Sequence, residues 1–274
     1  MIERFARQLM HRIMPRGPIY LGSHRALVQS IFGPSFYVDT RDRSVGYALL
    51  TSGHWEFDLT QLLRKIVRRG AVVVDVGANL GWHTVMVAFC VGPTGRVIAF
   101  EANPDMTALL GRNVQINNVT ERVEIVQKAV YSHTGTLQFQ VYGELMGGSS
   151  VYGNIGNATH FHDTIRAIEV SSIRLDDQFP PGSKVDLIHA DVEGAEPHVV
   201  RGARRLIGDN PDIALLLEYS PIMLAGSGIS VREFNDELQQ LGFRPYQLKA
   251  GGQVALTTFE ALETGGHCDI LLRR

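Results

Sequence analysis

Residues 72–84 read VVVDVGANLGWHT. An apolar run ends in an acid, Asp75, and the chain then turns through Gly77, Asn79 and Gly81. Glycine turns between a strand and a helix let backbone approach a ligand closely. A dinucleotide site spaces three glycines as G-x-G-x-x-G so that the pyrophosphate can enter. Here Asn79 fills the second position and the last glycine comes one residue early. Asp75 adds negative charge where phosphate would sit. A cationic ligand reverses that preference. S-adenosylmethionine carries a sulfonium and an ammonium and has no phosphate, and its carboxylate could take the N–H groups of the turn.

Other acids stand where such a ligand would meet them. Glu101 ends the apolar segment GRVIAFE, a position from which an acid accepts hydrogen bonds from ribose hydroxyls. Asp191 and Glu193 follow KVDLIHA, and Glu218 lies near the end of DIALLLEY. Methyl transfer to a hydroxyl requires in-line alignment of the acceptor oxygen. It also requires a base, or a metal that acidifies the hydroxyl. Asp191, Glu193 and Glu218 are the catalytic candidates. Asp191 could contact the cofactor, take the proton or hold a divalent metal. The candidate cofactor contacts are Asp75, Gly77, Asn79, Gly81, His83, Thr84, Glu101, Asn103, Gln127, Ala129 and Asp191. His83 could equally be a helix-surface histidine, and Glu193 and Glu196 could be helix N-terminal acids favoured by the macrodipole. His160 and His162 have metal-like spacing but no clear third ligand, and His189 reads as a core histidine.

These residues need a scaffold that brings strand ends together. Residues 71–76, 95–101, 122–130, 184–191 and 212–219 read as strands, the first apolar throughout, as in a strand covered on both faces. Asn103 and Pro104 provide an N-cap and a first helical residue for a helix to about Asn117. Pro197 opens a helix that Gly208 ends, and Ser230 with Glu233 forms a capping box. Residues 135–142 suggest a hairpin arm, 143–164 a long Gly/Ser/Asn-rich lid, and HCDILLRR a last strand. The alternation predicts an α/β, Rossmann-like fold: a mostly parallel central sheet with helices on both faces. Ligands of such sheets bind beyond the carboxyl ends of the strands, near the switch in strand order. The expected organisation is one domain, 71–274, preceded by a helical extension, 1–70.

The chain has 274 residues, 45% of them hydrophobic and 20% charged, which suits a packed core. Net charge is −2, which argues against nucleic acid as partner. Residues 1–70 carry 11 Lys/Arg against 5 Asp/Glu, and the remainder 15 against 23. Residues 1–16 pattern as a basic amphipathic helix, suited to docking on its own domain, on a second copy in a homodimer, or peripherally on an anionic membrane. No apolar run is long enough to span a bilayer and no secretory leader is evident, so a cytoplasmic location is expected. Cys90 and Cys268 read as buried thiols in a reducing compartment.

The stretches VVVDVGANLGWHT, AFEANP, GGSSV, LIHADVEGAE and LLLEYSP resemble the FkbM-type methyltransferases, a branch of the class I S-adenosylmethionine-dependent fold. GHWEFDLTQLLRKIVRRG resembles the segment that leads into their first strand, and the resemblance covers about residues 50–245. It implies O-methylation of a hydroxyl on a small molecule, sugar or glycan, and places Glu56 over the methionine end of the cofactor. His189 stands where the family often has lysine, and Ala102 where it often has proline. The alternatives are an N-methyltransferase and a nicotinamide-dependent oxidoreductase. The first is disfavoured because DVEG replaces an N-P-P-[YF] signature. The second is disfavoured because no tyrosine is followed by lysine four residues on.

Overall fold

In a computed structural model, which describes residues 17–152 and 163–274, the apolar run before the glycine turn is a central strand. The described chain opens with β1 (Ile19–Gly22), β2 (Arg25–Gln29) and β3 (Ser35–Asp39), an antiparallel sheet of three, followed by helices α1 (Val45–Ser52) and α2 (Phe57–Ile66). The described part of the expected helical extension therefore holds three strands besides its two helices. Its short alternating segments, such as RALVQ, bury every second residue against the main domain. Residues 1–16 lie outside the described residues.

Next come β4 (Val72–Val76), α3 (Trp82–Val91), β5 (Arg96–Phe100) and α4 (Pro104–Ile116). Asn103 caps α4 by accepting the Asp105 amide at 3.0 Å, with Pro104 at the first helical position. The predicted strand over 122–130 is broken. β6 (Val123–Val126) stays in the main sheet, while β7 (Ala129–Val130) leaves it to pair with β9 (Ile165–Ile173), which also takes β8 (Gly135–Tyr142). β10 (Leu187–Ala190) follows. The single helix predicted from Pro197 to Gly208 is interrupted at Ala203, giving α5 (Glu196–Gly202) and α6 (Arg204–Asp209). Then come β11 (Ala214–Tyr219), α7 (Val231–Gln240) capped by Ser230, β12 (Arg244–Lys249), β13 (Gln253–Leu256) and β14 (Cys268–Arg273).

The main sheet has the order β13-β12-β14-β11-β10-β4-β5-β6. The five strands from β11 to β6 are parallel and the other three antiparallel. The strands alternate sides. Val73, Val97, Leu187 and Leu216 face a core shared with α2, α3 and α4, whereas Val74, Ile98, Ile188 and Leu215 face α5, α6 and α7. Strand order reverses between β4 and β10, which opens a crevice at their carboxyl ends.

The small N-terminal sheet is tied to this body. The Asn113 side chain accepts the Tyr37 amide at 2.7 Å and donates to the carbonyls of Tyr37 and Leu80. One turn on, Asn117 accepts the Ser35 amide and donates to the Ser35 carbonyl. Phe36 also packs on Trp82, with ring centroids 5.0 Å apart. Asn113→Ala removes three hydrogen bonds and strands buried backbone groups, so we expect a loss of about 3 kcal/mol in urea unfolding. A loss below about 0.5 kcal/mol would show that the two parts do not depend on that side chain.

Candidate functional site

At the switch point two loops touch. Gly77 ends β4 with φ +81°, and a Cβ there would lie 1.8 Å from the Asp191 carbonyl oxygen. Only glycine lets the turn and the loop after β10 approach so closely. The turn satisfies its own amides. Gly77 and Ala78 both donate to the Phe100 carbonyl, Gly81 donates to that of Ala78, and Leu80 donates to the Asn79 side chain. The Asn79 amide donates to Glu101 at 2.7 Å. The expectation that these N–H groups hold a ligand carboxylate is corrected: from Gly77 to Gly81 each has a partner within the chain. Gly81 itself packs against Leu110 rather than a cleft.

Charge around the turn is distributed unevenly. Asp75 is 1% exposed and its carboxylate is engaged on both sides, by Thr84 and by His189 Nδ1 at 2.8 Å. His189 sits opposite Asp75 in the β4–β10 register. Burial alone would lower the His189 pKa, but the bond and charge of Asp75 outweigh it and hold it at about 9. Burial alone would raise Asp75, yet the same partners hold it below the usual carboxylate range. Asp75 is thus one half of a buried ion pair and is not the free negative charge expected of it. His189 is the satisfied core histidine expected, and it is charged. Thr84 is fully buried and acts through Asp75.

A second dyad joins the turn to the lead-in segment. His83 Nε2 lies 2.8 Å from Glu56, and its ring meets His189 edge to face at 5.1 Å. Burial pushes Glu56 up, but His83 brings it net below its ordinary value.

The remaining acids have weaker counter-charge. Asp191, Glu193 and Glu218 each bring a carboxylate oxygen within 4.8 Å of the others'. Burial, reinforced by neighbouring carboxylates, raises Asp191 to about 6 and holds Glu193 and Glu218 well above the usual range. Glu218 Oε1 meets the exposed His267 at 3.5 Å, while its Oε2 is buried without a hydrogen-bond partner. Asp269, opposite Glu218 on β14, is raised to about 7 by burial and by Glu56 and Asp191. Glu196 behaves differently. Its Oε1 accepts the amides of Val192 and Gly194, so it folds the loop rather than facing a ligand.

Gly77, Asn79, Glu101, Asn103, Ala129, Asp191 and Glu193 line one cleft, together with apolar Phe100, Met106 and Phe139. Glu101 accepts the amides of Asn79 and Asn103, one on each oxygen, and keeps further lone pairs; burial raises it to about 7. Gln127 is exposed and absent from the wall, because β6 ends at Val126 and the chain turns outward. Lys128 lines the cleft in its place. A second lobe, lined by Ser44, Trp55, Asp75, His83 and Gly148, shares Gly77, Gly147, Asp191 and Glu193 with the first. The base of the expected lid closes these lobes. Ser44 Oγ accepts the Gly147 amide, Asp42 accepts that of Met146, and Asp163 accepts those of Glu144 and Leu145. His160 and His162 lie outside the described residues. Sequence reasoning missed Lys128, Met146 and Asp269. Asp269 alone left a trace, as a solitary acid in the apolar HCDILL.

The family model described as "Methyltransferase FkbM domain" matches residues 75–245. The methyltransferase sdnD of Sordaria araneosa is 27% identical over 155 residues, covering 47% of the chain and 59% of that protein. Methyltransferase 1 of Beauveria bassiana is 27% identical over 144 residues, covering 47% and 57%. The chain therefore spans less than two thirds of the length of these relatives. Among solved structures, an FkbM methyltransferase of Methylobacillus flagellatus is 13% identical with TM-score 0.47, covering 77% of the chain and 45% of its own.

Two outcomes follow from the geometry. Gly77→Ala drives a methyl into the Asp191 carbonyl, and we expect a loss of about 3 kcal/mol or more. Wild-type unfolding of the Gly77→Ala variant would contradict the close approach. The second outcome concerns pH. His189, with its raised pKa, stabilises fully below about 6.5 and loses that contribution as pH rises through about 9. Glu101, Asp269 and Glu196, raised to about 7, 7 and 8, keep protons in the fold that the unfolded chain has released. Both effects have the same sign, so the melting temperature of the unliganded protein should fall from pH 6 to pH 9. A rise over that interval would be incompatible with these environments.

Proposed function

The chain belongs to the methyltransferase FkbM domain family, and on that premise we propose that it moves the methyl group of S-adenosylmethionine onto a hydroxyl oxygen of a small molecule or carbohydrate. One observation carries this reading. A glycine turn with every amide already engaged faces a group of buried carboxylates. Such a turn offers no N–H to a diphosphate, which disfavours a nicotinamide cofactor. Buried carboxylates with little counter-charge favour a cation.

The bound cofactor supplies a methyl group on a sulfonium, an electrophile with a good leaving group. The chain's residues do the rest. Glu101 would accept ribose hydroxyls with the lone pairs its backbone bonds leave free. Phe100, Met106 and Phe139 would give the adenine an apolar wall. Gly77 lets Asp191 and Glu193 stand beside the turn, where their charge offsets that of the cofactor.

Asp191 is the base in this reading. With a pKa near 6 it is mostly ionised at neutral pH, and still basic enough to take a hydroxyl proton onto a carboxylate oxygen as the oxygen–carbon bond forms. Glu193 and Glu218, held well above the usual carboxylate range by burial and by neighbouring acids, would add to the acidic surroundings of Asp191. The Glu56–His83 pair closes the far wall of the second lobe. Asp191, Glu193 and Glu218 could alternatively ligate a divalent cation, which would acidify the hydroxyl in place of a base.

Turnover of S-adenosylmethionine to S-adenosylhomocysteine, measured against sugars and secondary alcohols with and without chelator, tests the reading. Asp191→Asn should lower kcat/KM by at least about 100-fold. Full activity of the variant would remove Asp191 from the role of base. Loss of activity with chelator would transfer the three carboxylates to a metal. Calorimetric binding of NAD but not of S-adenosylmethionine would overturn the whole assignment.

A further inference from the structure

Beside the cofactor cleft runs a groove built from three separate parts of the fold: β2 and β3, helix α4, and the β8–β9 hairpin. Four arginines line it, Arg25, Arg41, Arg112 and Arg166, against two acids, Asp39 and Asp105. Both acids are already engaged. Asp39 accepts from the backbone, Nε and Nη2 of Arg41, the last at 2.6 Å. Asp105 lies 3.6 Å from Arg166. Arg25 and Arg112 are exposed, and the side chain of neither forms a hydrogen bond or an ion pair among the described residues. The groove therefore carries two uncompensated guanidinium groups. Its parts are held in place by the bonds of Asn113 and Asn117 to the backbone of Tyr37 and Ser35.

The groove adjoins the site. Asn103, Met106 and Met146 line both the groove and the cleft, Gly147 lines both lobes, and Gly148 lines the second. One short turn, 146–148, thus borders all three spaces. A molecule laid across that turn would run from the arginine-lined groove toward the cleft that Asp191 and Glu193 line.

We infer that this groove binds a phosphate-bearing part of the methyl acceptor. The inference rests on the methyl-transfer reading for the identity of the ligand as acceptor, and on the arginines for its charge. Guanidinium groups pair with phosphate oxygens through two parallel N–H donors. Two unpaired cations match a dianion, which a phosphate monoester or a diphosphate supplies; a single carboxylate would leave one arginine unbalanced. The groove's volume of about 540 Å³ falls within the range of small-molecule sites and leaves room for a diphosphate.

Calorimetric titration of the full chain with inorganic pyrophosphate at low salt tests this, with S-adenosylhomocysteine titrated separately. Pyrophosphate should bind the wild type, and the pair Arg25→Gln, Arg112→Gln should weaken it by about tenfold or more, with S-adenosylhomocysteine affinity held within about twofold. The corresponding lysine pair should recover part of the loss, since charge is kept and the fork is lost. Arg68→Gln, at the opposite end of the sheet, should change pyrophosphate binding by less than about twofold. No pyrophosphate binding, an unchanged double variant, an equal loss with Arg68→Gln, or tighter binding of malonate than of pyrophosphate would each overturn the inference. If the wild type fails to bind S-adenosylhomocysteine, it is the methyl-transfer reading that falls, while the pyrophosphate series still decides the charge of the groove.

Discussion

A positive charge buried at the centre of the sheet makes the acidic end of this molecule tenable. His189 and Asp75 face each other across the β4–β10 boundary, 2.8 Å apart and almost without solvent. Without an imidazolium there, Asp75, Asp191, Glu193, Glu218, Asp269 and Glu56 would repel one another in a low-dielectric space. With it, one acid is neutralised and the field on the others is reduced, as the charge of His189 does for Asp191 and Asp269. The resemblance noted from sequence puts a lysine at this position. Histidine and lysine share what the position needs, a proton-bearing nitrogen opposite an aspartate.

The fold was legible to the extent that local chemistry determines it. Asn103–Pro104 and Ser230–Glu233 mark helix starts because side chains there satisfy amides that no helical bond can reach. The apolar VVVDV segment reads as a doubly covered strand because period-two alternation vanishes when both faces are buried. What escaped was tertiary. Nothing local in RVEIVQKAV says that its two ends join different sheets, and RALVQ and SFYVD become strands only because α4 supplies a surface to pack on.

The site was legible in its residue types and less so in its pairings. Gly77, Asn79, Glu101, Asn103, Ala129, Asp191 and Glu193 meet in one cleft, as their positions at strand ends implied. Asp75 and Thr84 turned inward because a neighbouring strand presented a partner, a fact of register rather than of motif. Gln127 turned away because the strand ended one residue earlier. Backbone conformation tells a related story. Glu56, Asn79 and Glu193 all have positive φ without being glycine, and all three border the site. Strain of that kind persists only where surrounding contacts over-determine it.

The two walls of the pocket come from different stretches of chain. Gly77, Glu101 and Asp191 lie at the ends of β4, β5 and β10, in the main sheet, while the turn 146–148 is clasped by Asp42 and Ser44 from the N-terminal part. Insertions, deletions or exchanges in 40–45 and 143–148 can therefore reshape what enters the pocket while leaving the sheet unstrained. Such a division of labour allows a lineage to diversify its substrates at little cost to foldability, because selection can act on the clasp alone.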